Sequence, residues 1–179
     1  MSLTFTCSCG TMAWSVTDQA NGTLLECYCA DCQTAAHALK ADHMLNPAGG
    51  TLIFQTLPAN LQIVQGAEHL ALMRLGPKGL FHWHAGCCGT PIANTLASPK
   101  FSFSGLVLPP ETEGLGPVTA QVQTKSARQP VREHGFAKTG FAILRRAIRA
   151  RVQSCPFSPR SWWRSAGSRT CRTDHCEPQ

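Results

Sequence analysis

Between Leu3 and about Thr95 the chain alternates short apolar runs with turn residues, a pattern that predicts short strands rather than helices. Leu3-Thr4-Phe5-Thr6 alternates ahead of Cys7, and Trp14-Ser15-Val16 resumes after Gly10, as expected for a strand, a turn and a returning strand. Leu52-Ile53-Phe54 and Leu61-Gln62-Ile63-Val64 flank Pro58-Ala59-Asn60 and predict a hairpin with a longer loop. Two more strands are expected over Leu70 to Leu75 and Leu80 to His84, around Gly76-Pro77-Lys78-Gly79. The Ala-rich stretch from Gln33 to Leu45 suggests a short helix.

The pattern changes twice beyond Thr95. Residues 97–131 are rich in Pro, Gly, Ser and Thr without periodicity and predict a loop crossing the surface. From Gly135, Phe136, Phe141, Leu144, Ile148 and Val152 recur at helical spacing, with Arg145, Arg146, Arg149 and Arg151 between them. This is one basic amphipathic helix. Such helices can bind membranes or acidic partners, but docking the apolar stripe on the parent domain is the commoner outcome and is expected here. From Cys155 onward Arg, Ser, Cys and Trp mix without period, which predicts an unstructured tail, although Cys171, His175 and Cys176 imitate a metal site. The expected organisation is a β domain with its surface loop over residues 1–131, a helix over 132–153, and a tail over 154–179.

A length of 179 residues suits one ordinary domain, and a hydrophobic fraction of 43% can supply its core. No run approaches the ~20 apolar residues that span a bilayer, so no membrane partner is expected. The N-terminal MSLTFTCSCG lacks a basic stretch followed by an apolar one, so no signal peptide and a reducing cytoplasm are expected. The net charge of +6 is uneven: residues 1–131 hold six Lys or Arg against seven Asp or Glu, and residues 132–179 hold ten against three. The first part therefore lacks the basic footprint of a nucleic-acid binder.

Seven of the ten cysteines fall in three clusters: Cys7 and Cys9; Cys27, Cys29 and Cys32; Cys87 and Cys88. Neighbours one or two residues apart form strained disulfides but can turn their sulfurs to one point, as a soft tetrahedral ion such as zinc requires. One or two zinc ions are expected. Cys27, Cys29 and Cys32 converge from one loop and give three ligands, leaving a fourth position either open for catalysis or closed by a distant residue. Cys7 and Cys9 need partners, for which Cys87 and Cys88 are the obvious source. Adjacent residues of an extended chain point to opposite faces, so that pair shares an ion only if the backbone turns between Gly86 and Gly89. Otherwise one sulfur faces each cluster. His82 and His84, on one face of a strand, are reserve ligands.

Cys-x-Cys-Gly near the N-terminus, Cys-x-Cys-x-x-Cys some twenty residues later, and the late stretch from Trp83 through Cys87-Cys88-Gly89-Thr90-Pro91 to Thr95 together resemble the family of glutathione-dependent formaldehyde-activating enzymes and centromere protein V. The likeness covers about half the chain. It implies a mainly β, Mss4-like fold of coiled antiparallel sheets stabilised by zinc, joined here to the one C-terminal amphipathic helix. It also implies a structural zinc on Cys7, Cys9 and Cys88, and a second zinc on Cys27, Cys29 and Cys32 that serves carbon–sulfur lyase chemistry on a small thiol adduct. Two features depart from the pattern. Ala85 stands where the family's last motif has its first cysteine, so that either Cys87 substitutes or the site is one ligand short, and Gln33 and Thr34 follow Cys32 where basic residues are usual. Asp31, Glu68 and His69 are candidate proton carriers. The alternative is a non-catalytic, zinc-stabilised binding module. A dithiol redox protein using Cys29 and Cys32 would leave Cys27 without purpose.

Overall fold

The structure is a computed structural model that describes residues 2–17, 21–98, 101–152 and 170–171. Its small sheet pairs β1 (Leu3–Thr6) antiparallel with β2 (Ala13–Val16), and β2 antiparallel with β5 (Leu61–Gln65). The large sheet is built from β3 (Thr23–Cys27), β4 (Thr51–Thr56), β6 (Leu70–Met73), β7 (Phe81–Ala85), β8 (Pro91–Thr95), β9 (Ser104–Leu108), β10 (Ala120–Val122) and β11 (Thr170–Cys171). Its order is β10-β3-β4-β9-β8-β7-β6-β11. The pairs from β3 through to β6 are antiparallel, and the outermost strands β10 and β11 join in parallel.

The fold is mainly β. Alternation along each strand assigns residues to one of two cores. Leu24, Leu52, Phe54, Leu106, Ile92 and Trp83 face the small sheet, where Trp14, Val16 and Leu61 close the main core. Their neighbours Leu25, Cys27 and Ile53 face the other way, toward Ala120, Val122 and the helix residue Cys32. Shortening Leu106 or Ile92, both fully buried, to Ala would cost roughly 2–5 kcal/mol.

Two α-helices among the described residues cover the second face, one in the Ala-rich stretch and one in the basic amphipathic stretch. α1 (Ala30–Ala38) starts three residues before the Ala-rich stretch, because the Cys29 thiol accepts from the Cys32 amide and caps it. Lys40, at φ +55°, ends the helix: its amide bonds His37 O and that of Ala41 bonds Ala36 O, satisfying the last carbonyls as a C-terminal αL residue does. α2 (Phe136–Val152) packs against β10 and β4.

Three expectations are corrected. β4 and β5 do not form a hairpin, because a 3-10 turn at Pro58–Asn60 carries the chain from the large sheet to the small one. The Asn60 carbonyl accepts from Thr17, tying that turn to the end of β2. The stretch 97–131 is not a surface loop throughout, since it holds β9, buried at every position between β4 and β8. A strand covered on both faces shows no alternation, and Ser-Gly-Leu-Val-Leu is too short to signal otherwise. Finally, α2 does not dock its apolar stripe. It buries Thr139, Arg146 and Ala147 and exposes Phe136, Phe141, Leu144 and Ile148. Arg146 donates to Thr23 Oγ1 at 2.9 Å, which fixes this rotation of the helix.

Candidate metal centres

Two turns, one from each sheet, build the first centre. Between β1 and β2 the chain folds back on itself: Cys7 N–H bonds Met12 O, Gly10 N–H bonds Cys7 O, and Gly10 takes φ +76°. The Met12 amide also donates to Cys7 Sγ at 3.2 Å. Between β7 and β8 the Ala85 carbonyl accepts from both Cys88 and Gly89 at 3.2 and 2.7 Å. This is the backbone turn that the vicinal pair requires, so Cys87 and Cys88 present their sulfurs together. Gly89 has φ +78°, and a Cβ there would meet Leu39 O at 2.4 Å. The turn thus rests against the end of α1.

The Sγ atoms of Cys7, Cys9, Cys87 and Cys88 all lie within 4.8 Å of one another. The Cys7–Cys9, Cys7–Cys87, Cys9–Cys87 and Cys87–Cys88 separations are 3.5, 3.9, 3.3 and 3.9 Å. A thiolate tetrahedron with metal–sulfur bonds of about 2.3 Å has edges of about 3.8 Å. The four sulfurs therefore fit a tetrahedral thiophilic ion with little movement, and the group can hold a metal.

Hydroxyls and amides tune these thiols. Burial opposes ionisation of Cys88, but hydrogen bonds from Ser8, from Thr90 and from the Thr90 and Cys9 backbone bring it down to about 5. Thr11, through its hydroxyl and its amide, lowers Cys9. Burial, then hydrogen bonds with Cys9, Cys7 and Cys88, push Cys87 up to about 12. The charge is shared unevenly, and a bound cation is what would allow all four to ionise.

The second centre lies where β3 runs into α1. Cys27 ends the strand, Cys29 caps the helix and Cys32 stands in its first turn, with the three sulfurs within 4.8 Å of one another. The Cys32 amide donates to Cys29 Sγ at 3.3 Å. Hydrogen bonds from Cys27 and Cys32 bring Cys29 down to about 3. The contact with Cys29, then burial, pushes Cys27 up to about 12 against an opposing contact from Cys32, and contacts with Cys27 and Cys29, then burial, push Cys32 well above the usual thiol value. The group has three donors. Beside Cys32, a cavity of about 20 Å³, room for little more than one water, is lined by Thr51, His82 and Asn94 among apolar side chains of α1, β8 and β9.

A family described as "Family of unknown function (DUF6151)" matches residues 1–151, a span that takes in both cysteine groups and all but the last residue of α2. The chain belongs to DUF6151. No curated protein matches it. The crystal structure of a Rhodobacter sphaeroides protein, a structural genomics target, is similar at 23% identity over 65% of this chain and 97% of that one, with a TM-score of 0.45. That likeness is too loose to carry an argument.

The other candidate residues of this DUF6151 member separate cleanly. His82 and His84 are buried on β7 and join neither cysteine group. Burial lowers the pKa of both, and a contact with Asn94 partly offsets this at His82. Asp31 is exposed in the first turn of α1. Glu68 and His69 join neither group, although the His69 carbonyl accepts from Gly86 N–H at 2.7 Å, next to Cys87. Cys155, His175 and Cys176 fall outside the described residues, and Cys171, in β11, belongs to neither group.

Two contributors escaped the sequence reading. Thr90 Oγ1 accepts from Ser8 N–H at 3.0 Å and lies 3.1 Å from Ser8 Oγ and 3.2 Å from Cys88 Sγ. Its place in Gly89-Thr90-Pro91 was visible, but its partners came only with the fold. Arg128, from the segment after β10, donates to Gln33 Oε1 at 3.2 Å and lies 2.9 Å from His37 Nε2. It brings a cation to α1 from 95 residues away.

Proposed function

We propose that this DUF6151 member carries two zinc ions, one structural on Cys7, Cys9, Cys87 and Cys88, and one on Cys27, Cys29 and Cys32 that serves carbon–sulfur lyase-like chemistry on a small thiol adduct. The observation that carries the reading is the difference in donor number. Four sulfurs complete a tetrahedron and leave no vacancy for chemistry, while three sulfurs leave a position for a ligand from solution. The resemblance to formaldehyde-activating enzymes and centromere protein V supports the same division.

A zinc ion on three thiolates supplies Lewis acidity to a fourth, exchangeable ligand such as a thiol. The chain's own residues prepare that position. The first turn of α1 directs its amides, and its positive dipole end, at Cys29 Sγ, which favours negative charge on sulfur there. Arg128 supplies a cation beside Gln33, where a substrate carboxylate can be held. In an S-hydroxymethyl thiol, cleavage breaks the C–S bond, sulfur keeps the electron pair, and the hydroxyl loses its proton as the carbonyl forms. Asp31, in the same helical turn as two of the cysteines, is the carboxylate offered for that proton.

A specific observation favours a second reading, a zinc-stabilised binding module: the cavity beside Cys32 admits little more than a water. One experiment separates the two. Purified, metal-analysed protein is given formaldehyde with a panel of small thiols, and formation and cleavage of the S-hydroxymethyl adduct are followed by NMR. Adduct exchange faster than the uncatalysed rate and lost in Cys29→Ser supports the lyase. Zinc-dependent thiol binding without faster exchange supports the module.

A further inference from the structure

The side of α2 that the sequence marks as apolar is the side turned to solvent. Phe141, Leu144 and Ile148 are 68%, 48% and 52% exposed. With residues about 100° apart around a helix, these three form one ridge, and Lys138, Arg145 and Arg149, also exposed, run along its flank. The face laid against the sheet carries Thr139, Ala147 and a buried guanidinium, Arg146. Burying an arginine while leaving phenylalanine in water opposes ordinary helix docking. The Arg146 Nη2 atom has no partner among the described residues, so stability alone gives little reason for this rotation.

Charge narrows what the ridge can meet. The helix holds five Lys or Arg and no Asp or Glu. Residues 153–179 add four Arg against one Asp and one Glu, and a second copy of the helix would bring the same cations again. Neither complements it. The partner must be anionic and must accept a convex apolar ridge, which a fluid lipid surface does without a groove shaped to receive it.

We propose that α2 is an in-plane anchor for an anionic lipid surface. Phe141, Leu144 and Ile148 enter the boundary between headgroups and acyl chains. Lys138, Arg145 and Arg149 reach headgroup phosphates over their apolar stems. No helix among the described residues is long and apolar enough to cross a membrane, and the anchor needs none, because it lies along the surface while the sheet stays in water.

The test is vesicle flotation of the full chain. Wild-type protein is expected to float with phosphatidylcholine vesicles containing about one third phosphatidylglycerol, and not with phosphatidylcholine alone. Raised salt should release it. Phe141→Ser with Leu144→Ser, and separately Arg145→Glu with Arg149→Glu, should weaken flotation roughly tenfold or more. Both pairs are exposed, so circular dichroism and zinc content should stay unchanged. Absence of flotation with the anionic vesicles overturns the proposal, as does undiminished flotation of either double variant. A lipid-free dimer that Phe141→Ser with Leu144→Ser dissociates would overturn it too, by assigning the ridge to a second copy. Retention on a polyglutamate column without flotation would assign it to an acidic polypeptide.

Discussion

Ser8 and Thr90 lie 82 positions apart, and the Ser8 amide donates to Thr90 Oγ1 at 3.0 Å. The bond joins the β1–β2 turn to the β7–β8 turn, and hence the small sheet to the large one, at the point where the four sulfurs converge. Thr90 is buried, but Ser8 is exposed, so water can take over part of the bond that is lost. Thr90→Val, which keeps the shape and removes the hydroxyl, should lower stability by about 0.5–1.5 kcal/mol and hasten zinc loss to a chelator. Denaturant titration and chelator kinetics check both; an unchanged midpoint and rate would mean that the sulfurs alone hold the turns together.

Metal content is the most direct test. The protein should purify with between one and two zinc ions per chain, because each centre gathers its sulfurs independently of the other. Zinc affinity becomes folding free energy when a site ties distant strands. Chelation should therefore unfold the molecule substantially, as read by circular dichroism and elemental analysis. Metal-free protein of unchanged thermal stability would end the zinc reading.

The two centres should respond differently to mutation. Cys9→Ser removes a ligand from the centre that staples the two sheets, and should leave little soluble folded protein. Cys29→Ser should leave a folded protein with less zinc and weaker thiol binding, since Cys27, Cys29 and Cys32 lie within six residues of one another and close no long loop. A serine hydroxyl can take over the cap on the Cys32 amide, so the start of α1 should be preserved in this variant. Identical behaviour of the two variants, by solubility, zinc content and melting, would refute the division of labour.

The legible parts of this chain were the local ones. The β1–β2 return, the Gly76–Gly79 turn between β6 and β7 and the existence of α2 follow from patterns within a dozen residues. The three cysteine clusters were equally plain, because spacing alone excludes disulfides. What sequence could not supply was partnership. Nothing local says that Leu61–Gln65 leaves β4 to pair with β2, or that Ser104–Leu108 lies at the centre of a sheet. The start of α1 was missed because a cysteine is an uncommon helix cap. The rotation of α2 was missed because its pattern is amphipathic in the ordinary sense, and the bond from Arg146 to Thr23 that fixes the reversal spans 123 residues.

Removing the tail tests where the functional unit ends. Truncation after Val152 should preserve zinc content and change stability by about 0.5 kcal/mol or less, because both cysteine groups and the DUF6151 match lie before that point. The one described contribution of the tail is the two-residue pairing of β11 with β6. Loss of zinc on truncation would make Cys155, Cys171, His175 or Cys176 a ligand.

The vicinal pair offers a rescue experiment. Cys87 lies 3.3 Å from Cys9 and 3.9 Å from Cys7 by their sulfurs, so Cys87→Ala should remove one corner of the tetrahedron and lower zinc affinity at least tenfold. Ala85 is fully buried in the core that also contains Cys7 and has Cys88 packed against it. A sulfur added at Ala85 therefore enters the neighbourhood of both ligands, and its spacing from Cys88 recreates a Cys-x-x-Cys turn whose carbonyl-to-amide bonds, Ala85 O to Cys88 N and Gly89 N, are already in place. Ala85→Cys in the Cys87→Ala background should restore most of the lost affinity. In the parent chain the same substitution crowds a filled core beside a complete centre, and should cost roughly 1–3 kcal/mol. Zinc competition assays and melting curves on the three variants decide it. Undiminished structural zinc in Cys87→Ala would place Cys87 outside the centre and leave a water as the fourth ligand, since His84 joins neither cysteine group.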